Sequence, residues 1–216
     1  MQEKLGAFGK IVAKLRKIRP GVVRRRNLVF SHRGEVCTDA CLPPGFRLEE
    51  VSQATLSRYF QDAGSARRRL RYERFLAAGA RGLLVVTEDQ WASALWLAPP
   101  TVKQHPVQVP PRVSGKAWWL FELHTHASFR RKGLNQFLLR ESLKYVGERS
   151  PGALVAADVN PSNLASRASF AKSGFAEEGV LSAVTVTSPF FRPRSFGVWR
   201  RTTRHPDPKL EERGRQ

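Results

Sequence analysis

Residues 117–146 set the tightest limit on the fold. An apolar run suited to a strand (117–125) is joined to an amphipathic run suited to a helix (134–146). The link is a basic, glycine-containing turn, Phe129-Arg130-Arg131-Lys132-Gly133-Leu134-Asn135-Gln136. Glycine tolerates positive φ at a helix entrance, and the first N–H groups of a helix have no partner within it. Together with the helix dipole and the basic side chains, such a turn is a site for phosphate. Arg-x-x-Gly-x-Asn alone is a weak pattern. Its position between a strand and a helix raises it.

The charge points the same way. Lys and Arg number 37 against 18 acidic residues in 216, a net charge of +19. That excess suits anionic partners: a phosphate-rich cofactor, RNA, an acidic carrier protein or an anionic membrane. Scattered arginines are also an ordinary solubilising surface. No apolar run approaches the ~20 residues of a spanning helix, and residues 1–20 are too charged for a secretory signal. A cytoplasmic protein is expected, with peripheral contact at the inner face of the membrane as a further option. Cys37 and Cys41 lack a second ligand pair nearby, so zinc is not expected and a reduced pair is the default.

Leu5, Phe8, Ile11, Val12, Leu15 and Ile18 recur at helical spacing among lysines and arginines, and Pro20 ends the run. Residues 1–27 therefore read as a basic amphipathic arm. Two readings stand: docking on an anionic membrane through residues 1–26, or packing on the domain. Strands are predicted over 46–51, 82–87, 91–97, 117–125, 153–158, 181–187 and 195–202. Helices are predicted over 52–60, 66–78, 134–146 and 163–172, with a proline-rich loop at 99–114. A single domain over 28–203 and a polar tail at 204–216 complete the reading. The fold class is a mixed α/β arrangement, one sheet flanked by helices.

A second informative segment is Asp158-Val159-Asn160-Pro161-Ser162-Asn163, followed by Leu164 to Lys172 and then Ser173-Gly174-Phe175. Asn163 is a suitable helix N-cap and Gly174 a suitable C-cap. In this order and separation, the two segments resemble the GNAT acyltransferase superfamily. Arg130, Gly133 and Asn135 stand at the family's phosphate-turn positions. Asn163, Phe170, Lys172, Gly174 and Phe175 stand at those of its later helix. The likeness covers about residues 46–202 in element order and is specific over 117–175.

The resemblance implies a GNAT-like sheet and acetyl-CoA as the acyl donor, with no metal. The splayed strand edge at Leu123 and Thr125 would meet the pantetheine arm. Backbone N–H groups of Arg131, Lys132, Gly133, Leu134, Asn135 and Gln136 would hold the pyrophosphate. Arg130 and Lys132 would add charge, and Asn163 and Phe170 would complete the donor site. Three positions depart from the family. Asn135 replaces a glycine or alanine and adds bulk beside the phosphates. Phe170 replaces a tyrosine that protonates the departing thiolate, and Phe121 replaces an acidic or histidine base.

Glu122, His124 and His126 alternate on the same strand. A bulge would turn Glu122 or His124 into the cleft, and these two are the candidate catalytic residues. His126 reads as the wetter face of the strand. Of Trp91, Trp96, Trp118 and Trp119, most read as core, with one or two near an acceptor pocket. The leading function is acyl transfer from acetyl-CoA to an amine by direct attack, the oxyanion held by an N–H near Leu123. The alternatives are a donor carried by acyl-carrier protein or aminoacyl-tRNA, and a non-catalytic CoA- or anion-binding protein.

Overall fold

The computed structural model describes residues 21–33, 41–62, 64–188 and 190–202. The helix expected before Pro20, Cys37 and the tail from 204 lie outside them. The elements run β1 (Gly21–His32), β2 (Arg47–Glu50), α1 (Gln53–Tyr59), α2 (Ala66–Ala77), β3 (Arg81–Val86), β4 (Trp91–Ala98), α3 (Pro111–Ser114) and β5 (Trp118–Thr125). Then come α4 (Leu134–Arg149), β6 (Val155–Val159), α5 (Leu164–Lys172), β7 (Ala176–Ser188) and β8 (Phe191–Arg201). The strands form one sheet in the order β2-β3-β4-β5-β6-β1-β7-β8. β5 and β6 pair in parallel, and the other neighbours are antiparallel. This is the mixed sheet flanked by helices that the sequence implies.

β1 corrects the expected boundary of the arm, because residues 21–27 belong to the sheet. The strand sits between β6 and β7 and pairs with β7 from Gly21 to Ser31. Its first half is exposed on most positions, so it carries Arg24, Arg25 and Arg26 rather than an apolar pattern. The backbone ladder, not side-chain burial, holds it there.

Two cores lie on opposite faces. On one, Tyr72 and Phe75 of α2 and Leu56 of α1 pack on Trp96, Trp119 and Phe121 of the sheet. On the other, Leu134, Phe137, Leu138 and Leu139 of α4 and Phe170 of α5 pack on Leu120, Val155 and Ala157. β4 is buried along its whole length, so its sequence is apolar on both faces. Trp96 and Trp119 are fully buried.

The loop at 99–114 is less irregular than its prolines suggest. Pro111 starts the short α3, and Val109 and Val113 enter the α2-side core. Arg25 anchors the loop, donating to the carbonyls of Val107 (3.1 Å) and Gln108 (2.8 Å). Beneath it, the Asp158 carboxylate accepts from Asn27 Nδ2 (2.6 Å) and Trp119 Nε1 (3.1 Å).

Candidate functional site

β5 parts from β6 part-way along its length. The two pair only from Trp118–Val155 to Leu120–Ala157. Beyond Leu120 the β6-facing edge of β5 has no strand partner among the described residues, so backbone groups there are open to a ligand. At the same point β5 bulges. Ala94 pairs with His124 but Trp96 with Phe121, so Leu95 faces both Glu122 and Leu123. Glu122 takes φ of 52°, a left-handed conformation that costs a non-glycine residue ~1–2 kcal/mol. The bulge turns Glu122 to the α2 side beside Phe121 and keeps His124 on that side. Leu123 and Thr125 face α4.

The strand then enters a short 3-10 turn (Ala127–Phe129) and the basic turn. Arg131 and Gly133 both have positive φ, 64° and 74°. Gly133 is the N-cap of α4 and supplies no side-chain cap. Phe137 N donates to Gly133 O, so the N–H groups of Leu134, Asn135 and Gln136 precede the first helical hydrogen bond and point outward. A Cβ added at Gly133 would meet nothing within 4 Å. The space in front of the helix is therefore open.

A cavity of about 800 Å³ spreads from this turn along β5 and α5. It brings together Leu123, His124, Thr125, Arg130, Arg131, Gly133, Leu134, Asn135, Gln136 and Asn163, as the sequence reading grouped them. It also takes in Ala165, Ser169 and Lys172, which that reading did not assign to the site. Their one-per-turn spacing on α5 (165, 169, 172) was the available signal.

Three expected residues are elsewhere: Phe170, Lys132 and Glu122. Phe170 is 3% exposed, stacked on Phe30 (centroids 5.7 Å) and edge-on to Phe175 (5.1 Å). It points into the α4-side core, because position 170 lies on the opposite face of α5 from 169 and 172. The Lys132 ammonium lies over the rings of Phe46 (5.5 Å) and Phe129 (5.7 Å), outside the cavity lining. Lys172 brings the charge that Lys132 was expected to bring.

Asn135 does not turn its amide to the phosphate position. Its Oδ1 accepts from Thr125 Oγ1, and Ser93 Oγ lies 3.4 Å away. The side chain ties the helix entrance to β5 and leaves its own N–H free.

The α2 side of β5 is basic. Arg71 pairs with Glu122 at 2.9 Å. Arg68 lies over the Trp91 ring (4.3 Å) and donates to His124 Nε2 (3.3 Å), which requires a neutral ring with its proton on Nδ1. Burial first, and then Arg68, lower the His124 pKa, with Glu122 opposing. His124 is thus neutral near pH 7 and can accept a proton. Glu122 lies outside the large cavity and lines a small one of about 230 Å³ with Arg71, Arg74, Phe75, Pro106 and Val107. His126 packs edge-on to Trp91 (5.3 Å), and its Nδ1 accepts from Ser128 N, a structural role.

The family model described as "Acetyltransferase (GNAT) family" matches residues 48–175, from β2 to the turn after α5. Among solved structures the chain is similar to a Drosophila protein at 15% identity, covering 86% of this chain and 58% of that one, with a TM-score of 0.55. A tandem GNAT protein from the clavulanic acid biosynthesis pathway is 14% identical over 78% of this chain and 55% of that one, with a TM-score of 0.52. A GCN5-related N-acetyltransferase from Sphaerobacter thermophilus is 13% identical over 90% and 57%, with a TM-score of 0.51. The likeness to these structures is one of fold, and the chain spans under three-fifths of the length of each. No curated protein matches it by sequence.

Proposed function

The chain belongs to the GNAT acetyltransferase family, and on that footing we propose that it is an N-acyltransferase that takes its acyl group from acetyl-CoA. One observation carries the reading. The uncapped entrance of α4 behind Gly133 opens into the same 800 Å³ cavity as the unpaired edge of β5. The first suits a pyrophosphate, and the second suits an amide-rich chain that lies beside a strand. Arg130, Arg131 and Lys172 supply positive charge around them.

The amine would reach the thioester from the α2 side. Its nitrogen forms a bond to the acyl carbon, and the carbon–sulfur bond breaks. Glu122 would attract the ammonium. His124, neutral at that pH, would take the proton once its bond from Arg68 is exchanged for one from the amine. An N–H near Leu123 would hold the oxyanion. With Phe170 in the core, the thiolate would take its proton from solvent or from the Ser169 hydroxyl in the cavity.

Calorimetry with acetyl-CoA, followed by thiol release with a panel of primary amines, tests this. One-to-one binding and amine-dependent release are expected. Absence of binding would overturn the acetyl-CoA reading. Binding without release across the panel would leave a non-catalytic acetyl-CoA-binding protein.

A further inference from the structure

The small cavity beside Glu122 does not end there. It shares Arg74 and Pro106 with a larger, open one of about 990 Å³, bordered by the 99–108 loop, the end of α2 and the start of β8. The larger cavity is lined by three cations, Arg74, Lys103 and Arg192, and by no acidic residue. None of the three forms an ion pair with a carboxylate among the described residues. A concave site with unneutralised positive charge is one that an anion would fill.

His105 adds a second and independent sign. It lines this cavity and is 4% exposed. Its Nδ1 accepts from Val107 N at 3.3 Å, which puts the proton of the neutral ring on Nε2. That buried N–H has no partner among the described residues. Buried donors are nearly always satisfied, so this N–H is available to an acceptor atom that comes within reach of it. A carboxylate or phosphate oxygen supplies one.

We infer that the acceptor is a small amine bearing an acidic group, with the amine at Glu122 and the acid at Arg74, Lys103, Arg192 and the His105 Nε2–H. This rests on the acyltransferase reading for the word acceptor, though the anion site stands apart from it. The acceptor ammonium would take Glu122 in exchange for Arg71, which now holds it at 2.9 Å, and the adjoining cavity would take the anion. The shared chemistry is an oxyanion, either carboxylate or phosphate.

The site can be read without turnover. In the Gly133→Glu variant, which removes the other phosphate site, the His105 Nε2–H resonance is followed by NMR. Inorganic phosphate and acetate are titrated separately at constant ionic strength. A saturable shift with one of them is expected and identifies the acid. At least a 10-fold weaker effect is expected when Lys103→Gln and Arg192→Gln are added. A shift that stays linear with both anions, or that survives the added substitutions, would overturn the site. So would saturation by oligoglutamate alone, which would mean a macromolecular partner.

Thiol release in the wild type then compares 4-aminobutyrate with 4-aminobutyramide, and glucosamine 6-phosphate with glucosamine. At least a 10-fold higher kcat/KM for an acidic member supports the acceptor assignment. Equal values within both pairs overturn it. Absence of acetyl-CoA binding to the wild type would count against the acyltransferase reading and leave the anion titration intact.

Discussion

The two sides of β5 are built by different means. On the α4 side, the proposed phosphate turn comes from consecutive residues and would act mainly through backbone N–H groups at the head of one helix. On the α2 side, Glu122, His124, Arg68, Arg71, Arg74 and His105 come from a strand, a helix and a loop, and meet only when the chain is folded. The first kind of site tolerates side-chain change as long as the backbone keeps its shape. The second changes with each side chain. The donor should therefore depend on one glycine more than on any single charge, and the acceptor on several charges at once.

The sharpest attack on this comparison is Gly133→Glu. A carboxylate would enter the space in front of the helix that the phosphates need. Acetyl-CoA affinity should fall by at least ~1000-fold, about 4 kcal/mol. Gly133→Ala separates shape from charge. At φ of 74° it should cost ~1–2 kcal/mol of stability and much less affinity. Calorimetry and thermal melting measure the two quantities. Undiminished affinity in Gly133→Glu would mean that the turn is only a connection.

Next in size is Phe170→Ala. The ring is buried between Phe30 and Phe175, so its removal should cost ~3–5 kcal/mol of stability. Acetyl-CoA affinity of the folded fraction should stay the same. Phe170→Tyr would place a hydroxyl in an apolar core. A rise in turnover with that change would refute the placement of residue 170 in the core and return it to the donor side.

The sequence disclosed these two sides unequally, and the reason is physical. Gly133 and Asn163 mark local backbone events, and such events leave a signature within a few residues. The burial of Phe170 depends on which face of α5 meets Phe30, a residue 140 positions away in the chain. β1 was missed because its first half is exposed and arginine-rich, held by pairing with β7. The bulge at Glu122 leaves no residue signal of its own. Positive φ at a glutamate follows from the mismatch with β4. Nothing local in the 99–108 loop indicates that His105 is buried over Phe121 (centroids 5.3 Å).

The acceptor side can be tested through its own residues. Glu122→Gln and His124→Gln should each lower kcat by ~100-fold and leave acetyl-CoA affinity within 3-fold, roughly 0.6 kcal/mol. If both keep full turnover, the acceptor side has been assigned to the wrong residues. If either loses acetyl-CoA affinity in proportion, the two sides are not separate.

His105 gives a pH dependence of stability. Burial, then the nearby Arg25 charge, push its pKa down to about 3, against ~6.5 in the unfolded chain. Between these values the unfolded state binds more protons, so stability rises with pH through this window and is lost as pH falls below about 6.5. From pH 6.5 to 5 the loss should be about 2 kcal/mol. His32 and His124 are also lowered and act with the same sign. His105→Asn keeps an acceptor for Val107 N and removes the titration. Urea melts at pH 5 and 7.5 should show that the variant loses about 2 kcal/mol of the wild-type pH dependence. An unchanged dependence would mean that the ring is not buried as described.

The smallest effect concerns Asn135, where sequence and structure pull in opposite directions. Against the family's usual glycine or alanine, its side chain looks like an obstacle to phosphate, and Asn135→Ala should then tighten acetyl-CoA binding. The structure turns that side chain onto Thr125 Oγ1, with Ser93 Oγ 3.4 Å away, and leaves the backbone N–H at the helix entrance. On that geometry Asn135→Ala removes a tether and uncovers nothing. Stability should fall by ~1 kcal/mol, the worth of one part-buried hydrogen bond, and acetyl-CoA affinity should change less than ~3-fold, roughly 0.6 kcal/mol. A 10-fold gain in affinity at unchanged stability would mean that the amide faces the phosphates after all. The donor side would then depend on side chains as the acceptor side does, and the contrast between them would fail at this residue.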